Sequence, residues 1–395
     1  MKPISQIATA IAPSATVAVD SLAKQMKADG IDVIGFGAGE PDFPTPDSIK
    51  AAAIQAIHEN QTRYTPATGV LPLRKAICSW LDRQYGIQYQ PNQICVTSGA
   101  KHNVFAALQA ICNPGDEVIL PTPCWVSYEE SIKMTGAVVT LVQTTEATRF
   151  KMTPEILEKA ITPKTKAVII TNPSNPTGML YSKQELEALA EVVLRHDLYV
   201  ISDEIYDQLI YQGEFTCFAT LSDEIKERTI LINGASKSFA MTGWRIGFAA
   251  ANEQISKAMA NYLSHSTGNP CTVSQYAALE AYSTEENLVE KMQVDYARRR
   301  EYFLERISKI PGVSCLDPDG AFYIFMNIEG LLGRTIQGVQ INTSSDFAQA
   351  LLEKGLVAVV PGEAFHAPGY VRWSYATSME NIREGLDRLE KFLAE

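Results

Sequence analysis

Short apolar runs alternate with helical stretches through the middle of the chain. The runs are rich in β-branched residues, and the segments between them, such as 183–195, carry apolar side chains at helical spacing. Continuous apolar runs separated by helices are typical of parallel strands that are covered on both faces. The pattern therefore predicts an α/β fold with crossover helices. The predicted parallel strands are 94–97, 117–120, 167–171, 198–202 and 229–232, with a sixth at 245–250.

The predicted strands are followed by polar and small residues that are unusual for ordinary loops. These segments are SGAK at 98–101, PTPCW at 121–125, NPSNPTG at 172–178, DEIYD at 203–207 and NGASK at 233–237. In open α/β sheets, ligands bind at the carboxyl ends of the strands. The sequence therefore predicts a binding site at this edge of the sheet.

The pattern changes after about residue 280. Segment 285–310 predicts one long amphipathic helix, and its charged run 298–300 is expected to face solvent. Short strands and a C-terminal helix follow, the strands being predicted at 321–326, 357–360 and 371–375. A chain of 395 residues is too long for a single core. We expect two domains, a large one over 46–284 and a smaller one that combines 1–45 with 285–395.

The charge balance excludes several kinds of partner. The chain has 34 basic and 45 acidic side chains, which gives a net charge of −11. Nucleic acids and anionic membranes are bound by clustered cations, so neither is an expected partner. An anionic small molecule would need positive charge gathered locally, inside a pocket.

The N-terminus and the cysteines indicate a cytoplasmic protein without a metal site. Ser5, Gln6 and Thr9 interrupt the apolar start of the chain and Pro13 ends it, which argues against a signal peptide. No apolar stretch is long enough to span a membrane. The seven cysteines form no C-x-x-C pair and only five histidines are present, so we expect neither disulfides nor bound metal.

Several familiar motifs are absent or incomplete. The segment GFGAGE at 35–40 resembles a dinucleotide-binding fingerprint, but Glu40 replaces its third glycine and Pro41 prevents a helix there. SGAK at 98–101 matches the Ser-x-x-Lys of penicillin-recognising enzymes, yet no Lys-Thr-Gly follows. Walker A, His-Glu-x-x-His and Gly-x-Ser-x-Gly motifs do not occur. Hydride transfer, phosphoryl transfer, zinc hydrolysis and serine hydrolysis therefore all lack their residues.

Segment 234–247 contains a candidate nucleophile and a candidate anion ligand. Lys237 follows small residues at a strand end, where it could be an ordinary surface lysine or an amine that forms a Schiff base. Arg245 offers a forked, permanently charged donor that suits phosphate. Gly99 and Ala100 open a predicted helix, whose free backbone N–H groups could bind the same phosphate.

Asp203 follows an apolar run, so its carboxylate is expected to be partly buried. A buried carboxylate is costly unless it is paired, and a protonated pyridine nitrogen would pair it. Tyr206 and Asn175 could offer donors to the same ligand. The alternative for Asp203 is a helix N-cap.

Together these residues resemble the class I aminotransferases of pyridoxal-phosphate fold type I. The motifs that carry the resemblance are AGEPDF at 38–43, RYTP at 63–66, SGAK at 98–101, WVSY at 125–128, NPSNPTG at 172–178, SDEIY at 202–206, GASKSFAMTGWRIG at 234–247 and VRWSYA at 371–376. The resemblance implies a large domain with a mostly parallel seven-stranded sheet, a smaller α/β domain, a homodimer, and pyridoxal phosphate held covalently as an aldimine with Lys237.

The resemblance also implies a role for each cofactor-binding residue. Lys237, Asp203 and Tyr206 form the catalytic set, with Lys237 moving the proton between the substrate Cα and the cofactor. Asp203 would bind the ring nitrogen, and Tyr206 and Asn175 the ring oxygen, while Trp125 would stack on the ring. The implied phosphate ligands are Gly99, Ala100, Ser236, Arg245, the backbone N–H of Lys101, and Tyr64 from a neighbouring subunit.

The implied substrate ligands divide into two groups. Arg372 would bind the α-carboxylate with Gly39, Asn175 and Trp125 beside it. Lys101 and Thr16 stand where the aspartate branch of the family binds a distal carboxylate.

The implied reaction is ping-pong transfer from L-aspartate to 2-oxoglutarate, which gives oxaloacetate and L-glutamate. Aspartate/prephenate and aromatic aminotransferases remain alternatives, and a pyridoxal-phosphate-dependent C–S β-lyase is a more distant one. Two positions depart from the family pattern, because Cys124 stands where tyrosine is usual and His102 where glutamine is common.

Overall fold

The computed structural model describes residues 1–394, and strands and helices alternate along most of this length. The strands are β1 (Ile34–Gly35), β2 (Ile94–Thr97), β3 (Glu117–Thr122), β4 (Val138–Gln143), β5 (Thr165–Thr171), β6 (Tyr199–Asp203), β7 (Thr229–Gly234), β8 (Gly247–Ala250), β9 (Ser314–Cys315), β10 (Tyr323–Asn327), β11 (Thr335–Ile336), β12 (Val339–Gln340), β13 (Val357–Ala358), β14 (Val360–Pro361) and β15 (Tyr370–Ser374). The helices are α1 (Gln6–Ala10), α2 (Ala15–Ala28), α3 (Asp47–His58), α4 (Leu71–Tyr85), α5 (Ala100–Ile111), α6 (Val126–Lys133), α7 (Pro154–Ala160), α8 (Lys183–Arg195), α9 (Asp223–Arg228), α10 (Ala235–Ser238), α11 (Glu253–Ser266), α12 (Thr272–Ser283), α13 (Glu290–Ile307), α14 (Ser344–Gly355) and α15 (Met379–Ala394).

A seven-stranded sheet forms the centre of the fold, in the order β2-β8-β7-β6-β5-β3-β4. Its strands are parallel except β8, which is antiparallel to both of its neighbours. The mostly parallel seven-stranded sheet is therefore confirmed. The prediction of a parallel strand at 245–250 is wrong, because β8 runs the other way. The twelve residues between β7 and β8 contain the four-residue helix α10, which is too short to serve as the crossover helix of a parallel connection.

The edge strand β4 had no counterpart in the sequence pattern. It pairs only with β3, and its side chains are mostly exposed or half-buried, with Val138 at 50% exposure. An edge strand of this kind lacks the continuous burial on which the other predictions depend.

A second, four-stranded antiparallel sheet follows α13 in the chain, in the order β14-β15-β10-β9. The N-terminal part joins this region, because β1 pairs in parallel with β13 and the backbone N–H of Phe36 donates to the carbonyl of Ala358 at 2.8 Å. The grouping of 1–45 with 285–395 as one domain, and the boundary at 284, stay a prediction.

The predicted solvent-facing run 298–300 is wrong for two of its three residues. Arg299 and Arg300 are buried, at 7% and 4% exposure. Arg299 donates to Asp42 Oδ1 at 2.8 Å, and Arg300 donates to the carbonyl of Pro318 at 2.6 Å. The acceptors come from distant segments, so the charge run by itself could not reveal them.

Two further features bear on the earlier expectations. Within residues 1–394, no helix is long and apolar enough to cross a membrane. All seven cysteines lie in the described part of the chain, and each is a free thiol.

Candidate active site

A cavity of about 380 Å³ opens where β5, β6 and β7 end. Thr171 and Asp203, the last residues of β5 and β6, are register partners, so adjacent strands deliver their final side chains to one place. The sequence-derived residues that line this cavity are Thr16, Gly39, Ala100, Lys101, Trp125, Asn175, Asp203, Tyr206, Ser236, Lys237, Arg245 and Arg372. The binding site predicted at the strand ends is therefore present as a cavity.

Asp203 is a buried acceptor at the floor of the cavity, with 3% exposure. Its Oδ2 accepts a hydrogen bond from the Tyr128 hydroxyl at 2.7 Å, and Oδ1 accepts from the backbone N–H of Ile205 at 3.3 Å. Burial raises the pKa of this carboxyl, and the bond from Tyr128 lowers it in part. None of the ion pairs within residues 1–394 involves Asp203, so its charge is available to a cationic ligand.

Lys237 lies in the short helix α10, directly after β7. Its Nζ donates to the carbonyl oxygen of Gly39 and lies 5.9 Å from the ring centres of Tyr206 and Phe322. Burial lowers the pKa of this ammonium to about 8. Near neutral pH a lysine with this pKa is present as the neutral amine far more often than an ordinary lysine, and the neutral amine is the form that attacks a carbonyl.

The N-terminus of α5 and Arg245 form one wall. Gly99 has φ +90°, and a Cβ at this position would clash with the Arg245 guanidinium. Arg245 donates to the carbonyl oxygens of Thr242 at 2.8 Å and Ser98 at 3.3 Å, and its side chain is exposed toward the cavity. Free N–H groups of a helix start and a guanidinium together suit a phosphate group. Ser236 lies beside them and is buried.

Arg372 is a buried cation on β15, at 2% exposure. Its Nη1 donates to the Asn175 amide oxygen at 2.9 Å, and Nη2 donates to the Gly37 carbonyl at 2.8 Å. The guanidinium also lies 4.5 Å from the ring centre of Tyr323. Burial lowers the pKa of the guanidinium, and its Nε has no partner within the described chain. A buried guanidinium with only neutral partners favours an anionic ligand.

Two site residues, Tyr128 and Tyr323, were not identified as site residues from the sequence. Tyr128 lies one helical turn after Trp125 and packs edge-on against its ring, with centroids 5.2 Å apart. The Tyr323 and Tyr206 hydroxyls share a hydrogen bond of 2.7 Å. Burial holds the pKa of Tyr206 well above its usual range, so its hydroxyl stays protonated. Tyr323 falls in an apolar strand run, which gives no signal of a site residue.

Lys101 and Thr16 line the same cavity. The Lys101 Nζ lies 4.9 Å from the centre of the Trp125 ring, and the Thr16 hydroxyl shares a 3.1 Å hydrogen bond with that of Ser14. Burial and the nearby Arg245 lower the pKa of Lys101. Both side chains are thus near the cavity, as the distal-carboxylate role requires.

Four residues named from the sequence lie outside the cavity lining: Gly99, Tyr64, His102 and Cys124. Tyr64 is 98% exposed on the single chain, so its role as a ligand from a neighbouring subunit stays a prediction. Cys124 is buried, and burial raises the pKa of its thiol. His102 is half-buried, with its Nε2 3.3 Å from the Thr267 hydroxyl. Neither Cys124 nor His102 contributes a side chain to the cavity lining.

These side chains fit pyridoxal phosphate. The buried carboxylate of Asp203 has no ion-pair partner in residues 1–394, so it can pair with a protonated pyridine nitrogen. Lys237 offers an amine of lowered pKa for the aldehyde carbon. Ala100, Ser236 and Arg245 offer donors for the phosphate.

Comparison with known proteins gives the same assignment. The family model described as aminotransferase class I and II matches residues 31–389. The chain is 46% identical to the aspartate aminotransferase of Bacillus subtilis over 386 residues, which cover 98% of this chain and 97% of that protein. It is 44% identical to the aspartate/prephenate aminotransferase of Cereibacter sphaeroides over 394 residues, covering 99% and 98% of the two chains.

Solved structures agree with the family model. The aspartate aminotransferase of Rhizobium meliloti superposes with a TM-score of 0.96 at 39% identity, over 100% of this chain and 99% of that one. The Thermus thermophilus aspartate aminotransferase with maleate gives a TM-score of 0.94 at 42% identity, over 100% of both chains. Fold type I is therefore confirmed, and so is pyridoxal phosphate as the cofactor. The chain belongs to the class I and II family of aminotransferases.

Proposed function

We propose that the protein transfers the amino group of L-aspartate to 2-oxoglutarate, giving oxaloacetate and L-glutamate. The observation that carries the proposal is the presence of two cationic side chains, Arg372 and Lys101, on the cavity that Lys237 enters. A dicarboxylic substrate needs one cation for each carboxylate. The names of the relatives support aspartate, and the Thermus thermophilus relative was solved with maleate, itself a dicarboxylate.

The substrate-binding step depends on Arg372. Its guanidinium is held by Asn175 and Gly37, so its free edge can bind the α-carboxylate in a bidentate manner. Lys101, with Thr16 beside it, binds the distal carboxylate. Since the two cations are fixed on different segments, they orient the substrate so that its Cα faces Lys237.

Lys237 and Asp203 carry out the proton chemistry. Pyridoxal phosphate supplies, when bound, an aldehyde that captures amino groups and a ring that withdraws electrons from the substrate Cα. Lys237 Nζ would take the proton from the substrate Cα and hold it within the cavity for its return. Asp203 would stay ionised and hold the protonated ring nitrogen, while Tyr206 and Asn175 would donate to the ring oxygen. The first oxo acid leaves before 2-oxoglutarate binds, which makes the reaction ping-pong.

The test is an absorbance spectrum of the purified holoprotein before and after L-aspartate is added alone. We expect the visible band of the bound cofactor to be replaced by that of its amino form, with release of oxaloacetate, and 2-oxoglutarate to restore the first band. An unchanged band with aspartate would contradict the dicarboxylic donor. No band after pyridoxal phosphate is added would contradict the role of Lys237.

A second candidate function is amino transfer to prephenate. The 44% identity to an aspartate/prephenate aminotransferase favours it, and the same Lys101 and Thr16 would serve both substrates. Adding prephenate in place of 2-oxoglutarate to the aminated protein tests it directly, and phenylalanine as donor tests the aromatic alternative. Release of pyruvate from cystathionine would instead indicate a C–S β-lyase.

We also propose a cytoplasmic homodimer in which Tyr64 reaches the cavity of the second copy. The support is the 98% exposure of Tyr64, a large side chain that its own chain leaves uncovered. Tyr64→Phe should weaken the binding of pyridoxal phosphate in the dimer.

A further inference from the structure

Behind Asp203 lies a chain of hydroxyl groups that the proposed reaction does not use. The Thr171 hydroxyl donates to the Tyr128 hydroxyl at 2.9 Å, and the Tyr128 hydroxyl donates to Asp203 Oδ2 at 2.7 Å. We call Thr171 and Tyr128 the hydroxyl chain. Tyr128 is 1% exposed, and its ring is held by Trp125. The arrangement is therefore a fixed part of the cavity floor.

The hydroxyl chain has a direction. The Thr171 hydroxyl donates a hydrogen bond to the Tyr128 oxygen, so the hydrogen of the Tyr128 hydroxyl is free to form the bond to Asp203. Thr171 and Asp203 are register partners on β5 and β6, and this pairing sets the distance that Tyr128 bridges. Both donors therefore point toward the carboxylate.

This direction matters because Asp203 already accepts a hydrogen bond on each oxygen. Oδ2 accepts from Tyr128, and Oδ1 accepts from the Ile205 backbone N–H. An ionised carboxylate has about four acceptor sites, so with two of them used Asp203 can still accept a hydrogen from a ligand in the cavity. A protonated Asp203 would have fewer acceptor sites, and hydrogen bonds from two donors favour its ionised form.

We propose that Tyr128, backed by Thr171, is a positioning residue that keeps Asp203 ionised and thereby keeps the proton on the ring nitrogen of the bound cofactor. The proposal rests on the proposed role of Asp203. It assigns a function to two residues that the substrate and the phosphate do not require. It also explains how a carboxylate that is buried without an ion-pair partner in residues 1–394 can hold its charge.

The test uses Tyr128→Phe, which removes the hydroxyl and keeps the ring that packs on Trp125. The holoprotein is prepared with pyridoxal phosphate that carries 15N in its ring, and the 15N chemical shift is followed against pH. We expect the ring nitrogen of the variant to lose its proton at a lower pH than in the wild type. We also expect its cofactor dissociation constant to rise about tenfold, the effect of losing one hydrogen bond to a charged group. Identical 15N titrations would overturn the proposal.

A matched control separates this role from general loosening of the core. Tyr181 is also a buried tyrosine, and its hydroxyl accepts from the Met152 backbone N–H at 2.8 Å, outside the cavity lining. Tyr181→Phe should leave the 15N titration at its wild-type position. An equal shift in this control would overturn the proposal.

Thr171 provides a second measurement that does not depend on the folding of Tyr128→Phe. Thr171→Val removes the donor to Tyr128 and should shift the 15N titration in the same direction, by less than Tyr128→Phe. Thr171→Ser keeps a hydroxyl and should restore the wild-type titration. Equal titrations for the two Thr171 variants would contradict the direction of the hydroxyl chain.

The same experiment distinguishes failure of this inference from failure of the proposed function. A wild-type protein that binds pyridoxal phosphate with a neutral ring nitrogen would contradict the role of Asp203 itself. A protonated nitrogen in the wild type that is unchanged in Tyr128→Phe would contradict only the role of the hydroxyl chain.

Discussion

The two ends of the cavity each bury one charge, and the two charges are opposite. Asp203 is 3% exposed and Arg372 is 2% exposed, and within residues 1–394 neither has an ion-pair partner. Neutral groups hold both of them in place. Tyr128 and the Ile205 backbone donate to Asp203, whereas Asn175 and the Gly37 carbonyl accept from Arg372.

The difference lies in where these neutral partners come from. The partners of Asp203 belong to the large sheet and to the segments that directly follow its strands. Those of Arg372 come from the N-terminal segment and from the loop after β5, while Arg372 itself is on the second sheet. The Asp203 end is therefore built within one body and suits a resident cofactor. The Arg372 end is assembled from three segments, which suits a ligand that must enter and leave.

Among these substitutions Asp203→Asn should have the largest effect, and it should weaken the binding of the cofactor. The amide cannot balance a protonated ring nitrogen in a buried place, so we expect the dissociation constant of pyridoxal phosphate to rise about 100-fold. Turnover at saturating cofactor should fall by a similar factor or more. Fluorescence titration with pyridoxal phosphate measures the first effect. Asp319→Asn, at a carboxylate that is bonded to Arg149 outside the cavity lining, is the control. A cofactor affinity within about twofold of the wild type would remove Asp203 from cofactor binding.

Arg372→Lys should weaken the binding of the substrate and leave the binding of the cofactor unchanged. A lysine cannot form the bidentate pair with the α-carboxylate, so we expect KM for aspartate to rise roughly 30- to 100-fold. The dissociation constant of pyridoxal phosphate should stay within about twofold of the wild type. Steady-state kinetics and the same fluorescence titration measure both. A large loss of cofactor affinity would show that the two ends are not independent.

Lys101→Gln tests whether the second cation of the substrate site binds the distal carboxylate. Removing the distal cation should lower kcat/KM for aspartate about tenfold, because a partly solvated ion pair is lost. The value for phenylalanine, which has no distal carboxylate, should change much less. Lys257→Gln on the exposed face of α11 serves as the control. Equal losses for both substrates would exclude Lys101 from substrate selection.

The smallest expected effect is a shift in the titration of the Lys237 amine, which lies between Asp203 and Arg372. Burial lowers the pKa of its ammonium to about 8, from an ordinary lysine value of about 10.4. A lowered pKa means that the neutral amine appears at lower pH, so half of the molecules should carry it near pH 8. Acetylation of Lys237 by acetic anhydride in the cofactor-free protein, followed by mass spectrometry against pH, should have its midpoint there. A midpoint near the ordinary lysine value would contradict the burial of this amine.

The sequence was informative where a site residue directly follows a strand. Asp203 and Lys237 could be located because each ends or follows an apolar run at the predicted edge of the sheet. The surroundings of Arg372 could not be derived in this way, since Gly37 and Asn175 are far away in the chain. Only the family resemblance pointed to Arg372.

Residues inside apolar or helical patterns were missed for a related reason. Tyr128 and Tyr323 occupy positions that core packing alone explains, so nothing marked their hydroxyls as part of the site. The buried Arg299 and Arg300 show the opposite error, because a charged run predicts exposure unless distant acceptors are known. In each case the missing information was a contact between distant segments.

The single reversed strand of the large sheet decides which end of β8 faces the ligand. Because β8 is antiparallel to β7, its first residue, Gly247, lies at the edge where the parallel strands finish. Arg245, two residues earlier, therefore stands beside Lys237 on the same rim. A parallel β8 would have carried Arg245 to the opposite rim, roughly 13 Å away across four residues of strand. The reversal of one strand is thus what allows a single stretch of chain to supply both the amine and the anion-binding guanidinium.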